Sequence, residues 1–165
     1  MAIAEGEARG SDICGSLTTE GRTARTKLTM AKPRLAWKIK PESEDYDGAH
    51  RYISLLYSDA EATKLLRALR EAKTSAYLAK DLLRASGLPL LPRDEPHVDA
   101  DLKRIHKGKS LAPVLLIRGA MIQGISLTVA DGYHRICAIC YYDANAPVRC
   151  RMVSASSHLS HPRHF

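Results

Sequence analysis

An acid, an imidazole and a guanidinium fall within five consecutive positions of this chain, hinged on a glycine: Val129-Ala130-Asp131-Gly132-Tyr133-His134-Arg135. A guanidinium gives paired hydrogen bonds to phosphate or carboxylate, and an imidazole donates a hydrogen bond or moves a proton near neutral pH. A strand that ends at Ala130, turns at Gly132 and opens a helix at once gathers unpaired backbone N–H groups at the positive end of the helix dipole. Phosphate is the natural guest there. The expected phosphate-binding residues are Gly132, Tyr133, His134 and Arg135, with His134 and Asp131 as the catalytic pair. Asp131 repels an anion unless Arg135 or a metal offsets it, and Mg2+ held by Asp131 is one resolution. A plainer alternative is a helix cap at Asp131, a turn residue at Gly132 and a solvated first turn at His134 and Arg135.

Other residues invite further readings. His97 opens a predicted helix and is a further phosphate-contact candidate, or ordinary surface. Lys80 and Arg84 share a helix face that suits an anionic substrate, or a solvated stripe. Cys137-Ala138-Ile139-Cys140, with His134 three residues earlier and Cys150 downstream, spells a zinc or redox set; small apolar residues packed on a sheet explain the same spacing. His158, His161 and His164 lie in a tail without core-forming pattern, where chelation lacks fixed geometry.

The elements that must position these residues follow from periodicity. Leu35 to Lys40 alternates like a half-buried strand. Tyr52, Ile53, Leu56 and Tyr57 predict a helix from Ala49. Ser58 and Glu61 form a capping box for the next helix, which carries Ala62, Leu65, Leu66 and Leu69. A third helix, Ala79 to Ser86, stops at Gly87. A fourth begins near Asp94-Glu95-Pro96, with Val98, Leu102 and Ile105 inward, early acids Asp99 and Asp101, and late Lys103, Arg104 and Lys107 that suit the dipole. Pro113 to Ile117 reads as a buried strand, Gly119 to Gly124 as a loop, Leu127 to Ala130 as a strand, Tyr133 to Tyr142 as a helix and Val148 to Val153 as the last strand.

The chain of 165 residues suits one ordinary domain with tails. Its apolar runs are far shorter than a membrane span, and the N-terminus lacks a secretory pattern, so a cytoplasmic location and reduced cysteines are expected. Residues 1–33 carry the composition of a disordered extension, with Met30 a candidate alternative start, and 34–153 are assigned to the domain, with a flexible tail at 154–165. The net charge of +7 is concentrated in residues 1–40 and 149–165, leaving the middle balanced. Nucleic acid is therefore not favoured as a partner, although a local basic patch is compatible with it.

Gly108 through Ile117, the Asp131-to-Arg135 turn with Ile136-Cys137-Ala138 behind it, and a final strand from Pro147 resemble the ParB/sulfiredoxin fold over about residues 94–153. The resemblance implies an α+β domain, a small mixed sheet flanked by helices with added N-terminal helices, whose Gly-x-His-Arg-type turn binds nucleotide phosphates. Sulfiredoxins carry their catalytic cysteine where Tyr133 stands, and partition ParB proteins carry Glu-Arg-Arg after the glycine, so neither activity is expected. The free-serine kinases of this fold carry Asp-Gly-His-His-Arg, which Asp131 to Arg135 matches at all but one place. The resemblance thus implies ATP or ADP with Mg2+ as cofactor and phosphotransfer to a small hydroxyl compound. No upstream glutamate is matched as base. A nucleic-acid-associated module or nuclease and a non-catalytic partner-binding domain are the alternatives.

Overall fold

The computed structural model describes residues 34–155. The expectations placed on residues 1–33 and on the tail histidines lie outside them. Five helices and four strands alternate in the order α1 (Ser43–Ile53), α2 (Asp59–Glu71), β1 (Thr74–Leu78), α3 (Ala79–Ser86), α4 (Pro96–His106), β2 (Val114–Arg118), β3 (Thr128–Asp131), α5 (Tyr133–Asp143) and β4 (Pro147–Ser154). The strands form one mixed sheet, ordered β1-β4-β2-β3. β4 pairs antiparallel to β1 and parallel to β2, and β2 pairs antiparallel to β3. The fold is mixed α+β, as the sequence reading expects.

β2 explains why helices cover both faces. Successive side chains of a strand point to opposite sides, so a strand apolar at four consecutive positions, Val114 to Ile117, must be buried on both faces. Val114 and Leu116 face a core built with α3, α4 and α5 through Leu82, Val98, Leu102, Ile136 and Ile139. Leu115 and Ile117 face a second core with α1 and α2 through Tyr46, Ala49, Ile53, Leu65 and Leu69. Full burial of each large apolar side chain is worth about 1.5–3 kcal/mol. The sheet is the middle of three layers.

Three expectations are corrected. The first helix begins at Ser43 rather than Ala49, because Asp45 accepts a hydrogen bond from the Glu42 N–H at 2.7 Å and fixes an otherwise polar start. Its buried apolar positions are Tyr46, Ala49 and Ile53, with Asp45 buried beside them, whereas Tyr52 and Leu56 are exposed. The expected strand over 35–40 is reduced to a single bridge, Trp37 to Leu111. Finally, β1 occupies a stretch for which the sequence pattern predicts no element: a short strand between two helices in the chain, paired along its length with β4. The α3 stop at Gly87 is as expected, with φ of 67°.

Candidate functional site

β3 ends at Asp131 and α5 begins at Tyr133, with Gly132 between them at φ 94°. That conformation favours glycine. Space demands it as well, since a Cβ on Gly132 would stand 2.5 Å from Val114 Cγ1. The handover lies between β2 and the two first-turn side chains of α5, with α1 and the start of α4 on either side.

The N-terminus of α5 differs from the other helix starts among the described residues. The Ser58 side chain caps α2, Glu95 caps α4 through the N–H groups of His97 and Val98, and Ala79 and Lys80 at the start of α3 donate to the carbonyls of Ala146 and Ala144. α5 has no side-chain cap, and the first backbone bond of the helix runs from the Ile136 N–H to the Gly132 carbonyl. The Tyr133, His134 and Arg135 N–H groups are left at its open end. Asp131 is therefore not the cap of this helix.

The motif's side chains separate into two groups. Arg135 turns inward. One terminal nitrogen donates to the Ala112 carbonyl at 2.9 Å, and the other meets Asp45 Oδ1 at 2.9 Å and lies 3.8 Å from Asp131 Oδ2. Its side chain is only 15% exposed. The guanidinium expected to grip phosphate is thus committed to a buried carboxylate and to the chain entering β2. Tyr133 also turns away, its hydroxyl donating to the Pro89 carbonyl, so of these two residues only the backbone N–H groups are left for an anion.

His134 stays at the surface, 43% exposed, with its ring 4.9 Å from that of His97. His97 Nδ1 lies 3.0 Å from Glu95 Oε1, and His134 Nε2 lies 3.9 Å from the same oxygen. Hydrogen bonding from His97 holds the Glu95 carboxyl below its usual range; burial opposes it, and the Val98 N–H and the two histidines add to the lowering. The structure therefore brings His97 together with His134 and adds Glu95.

Asp131 lies behind this pair, against α1. Gly48 makes room for it, since a Cβ there would stand 3.0 Å from Asp131 Oδ1. Oδ2 is buried and without a hydrogen-bond partner. Burial pushes the Asp131 carboxyl up to about 7, Arg135 opposes, and the Asp45 carboxylate adds to the rise. Burial likewise raises Asp101 of α4, opposed by Arg135, Arg104 and the two histidines.

Sequence reasoning missed Asp45, Asp101 and Glu95 as members of this constellation. Helical spacing puts Asp101 four residues after His97 on one face, and Glu95-Pro96-His97 is a readable helix start. Asp45 had no local signal: it lies 90 residues from Arg135.

The thiols do not join it. Cys137 and Cys150 are buried, and burial raises both, as it raises the half-buried Cys140 thiol to about 11. Packing in the core beneath α5 accounts for the Cys-x-x-Cys spacing. Arg84 pairs with Asp81 at 2.9 Å. No helix among the described residues is long and apolar enough to cross a membrane. Comparison with family models, curated proteins and solved structures finds no match.

Proposed function

We propose that this chain binds phosphate groups, in the first place those of a nucleotide such as ATP or ADP, at the open N-terminus of α5, and transfers a phosphoryl group to a small hydroxyl compound. The observation that carries this reading is the uncapped first turn after Gly132, flanked by the exposed His134 and His97. Backbone N–H groups that no protein acceptor satisfies, at the positive end of a helix, suit an anion. The two imidazoles supply further donors on the solvent side.

Each of the other groups has a part. Arg135 does not touch the phosphate; it holds the loop before β2 and places positive charge beneath the turn. Asp131 acts as the proton acceptor, because a carboxyl with a pKa of about 7 exchanges a proton readily at neutral pH. Catalysis on this plan is positioning and charge stabilisation. The resemblance to the ParB/sulfiredoxin fold supports the same reading through the Asp-Gly-x-His-Arg turn.

The test is a thermal-shift series with ATP, ADP and inorganic phosphate on the full chain and on His134→Ala and His97→Ala. Ligand at about 100 times its Kd stabilises a protein by about 2.7 kcal/mol, a readily measured shift. The shift should shrink in both variants while their ligand-free melting temperatures stay close to that of the parent. Absence of any shift at millimolar nucleotide and phosphate would sink the proposal.

A further inference from the structure

We infer that Glu95, His97 and His134 form a binding site for a first-row divalent cation of the zinc class, with protein ligands on one side and open coordination positions on the other. The inference does not rest on the phosphate reading: it stands on ligand type and spacing. One carboxylate oxygen and two ring nitrogens lie within 4.8 Å of one another. Around a tetrahedral ion with bonds of about 2.0–2.1 Å, ligand atoms sit about 3.3 Å apart. The Glu95–His97 separation of 3.0 Å and the Glu95–His134 separation of 3.9 Å bracket that spacing. Closing the set needs rotation of side chains only, and His97, 75% exposed, is free to make it.

The carboxylate is already aimed. Glu95 Oε2 accepts hydrogen bonds from the backbone N–H groups of His97 at 2.9 Å and Val98 at 2.8 Å, which leaves Oε1 turned to the two rings. Outer contacts of this kind fix the orientation of a metal ligand and raise its affinity. His97 coordinates through Nδ1 once the proton that now bridges to Oε1 is carried on Nε2 instead, a tautomer open to a ring in solvent. Two imidazoles with one carboxylate suit zinc and its first-row neighbours, whereas Mg2+ prefers an all-oxygen shell. Three protein ligands leave room for water or an added anion, the pattern of reactive rather than structural zinc sites. The neighbouring N–H groups of α5 would face that open side.

Cobalt(II) reports on the site. The full chain, with His158, His161 and His164 replaced by alanine so that the tail cannot chelate, is titrated with Co2+ alone in phosphate-free buffer and followed by visible absorption. One equivalent should bind with a nitrogen/oxygen-type spectrum and be displaced by Zn2+ but not by a large excess of Mg2+. Glu95→Gln, which keeps an acceptor for the α4 cap, and His97→Ala, which truncates an exposed ring, should each weaken binding by about tenfold or more, with unchanged circular dichroism. His134→Ala should do the same. Affinity unchanged in the His97→Ala/His134→Ala double variant, a thiolate charge-transfer band, or no cobalt spectrum in metal excess would each overturn the inference. Because phosphate is absent, a failure here leaves the nucleotide shift untouched, and a failure of the nucleotide shift leaves the cobalt result standing.

Discussion

Arg135 and Asp131 show how two residues four apart in a motif take unlike tasks. Arg135 is paired with Asp45, and both are nearly out of water. Removing one partner of such a pair strands the other, at a cost of about 3–5 kcal/mol. Arg135→Ala should lose stability on that scale in urea denaturation; a loss below about 1 kcal/mol would deny the residue its structural role. Asp131 gives a pH signature. A carboxyl whose folded pKa lies above its unfolded value stabilises the fold fully while protonated in both states, below about 3.8, and that contribution is lost as pH rises through about 7. Relative to Asp131→Asn, the parent protein should therefore become steadily less stable from about pH 4 to pH 7. Parallel stability profiles over that window would mean that the carboxyl titrates as if in water. Gly132→Ala meets both a strained φ of 94° and the Val114 side chain at 2.5 Å, so its melting point should fall by the equivalent of about 2 kcal/mol or more. A neutral effect would show that the β3-to-α5 corner is looser than described.

At the scale of elements, α4 and α5 divide the work of building the site. α4 is closed at its N-terminus by its own Glu95, and α5 is left open, so donors are satisfied at one helix start and available at the other. Loss of a helix cap costs about 1 kcal/mol. Glu95→Ala should show that cost in chemical denaturation, whereas Glu95→Gln should retain most of the stability because the amide oxygen still accepts from His97 and Val98. Equal losses in the two variants would mean that the carboxylate's charge, rather than its hydrogen bonds, holds the start of α4. β1 contributes at the opposite edge of the sheet from β3, by covering β4.

For the whole described fold, β2 is the shared wall of two cores. Leu65 lies in the core under α1 and α2 and Leu102 in the core under α4 and α5, both buried. Leucine-to-alanine changes in such settings cost about 2–5 kcal/mol. Because one strand supplies side chains to both cores, Leu65→Ala and Leu102→Ala should each lower a single cooperative unfolding transition. Two separated transitions in either variant would show that the layers melt independently. The site belongs to both layers: His97, His134 and Glu95 come from the α4 and α5 side, whereas Asp45 reaches Arg135 from α1.

Local chemistry written in the sequence determined much of the architecture. The Ser58 capping box, the Gly87 stop and the strand-Gly-helix turn at 128–135 arise from contacts within a few residues, and the unbroken apolar run of β2 is itself a local pattern, so the sequence reveals all four. The α1 start and β1 were hidden because one depends on a polar reciprocal cap and the other on pairing with β4, about seventy residues later. Side-chain direction at the site was a tertiary matter throughout. Nothing local says that Arg135 would turn to Asp45 or that the Glu95 oxygen shared with His97 would also lie near His134. Those choices are made by burial and by charges that meet only when distant helices pack on the same sheet, which is why His134, His97 and Asp131 could be named from the sequence whereas the direction of each side chain, and the partners Glu95 and Asp45, could not.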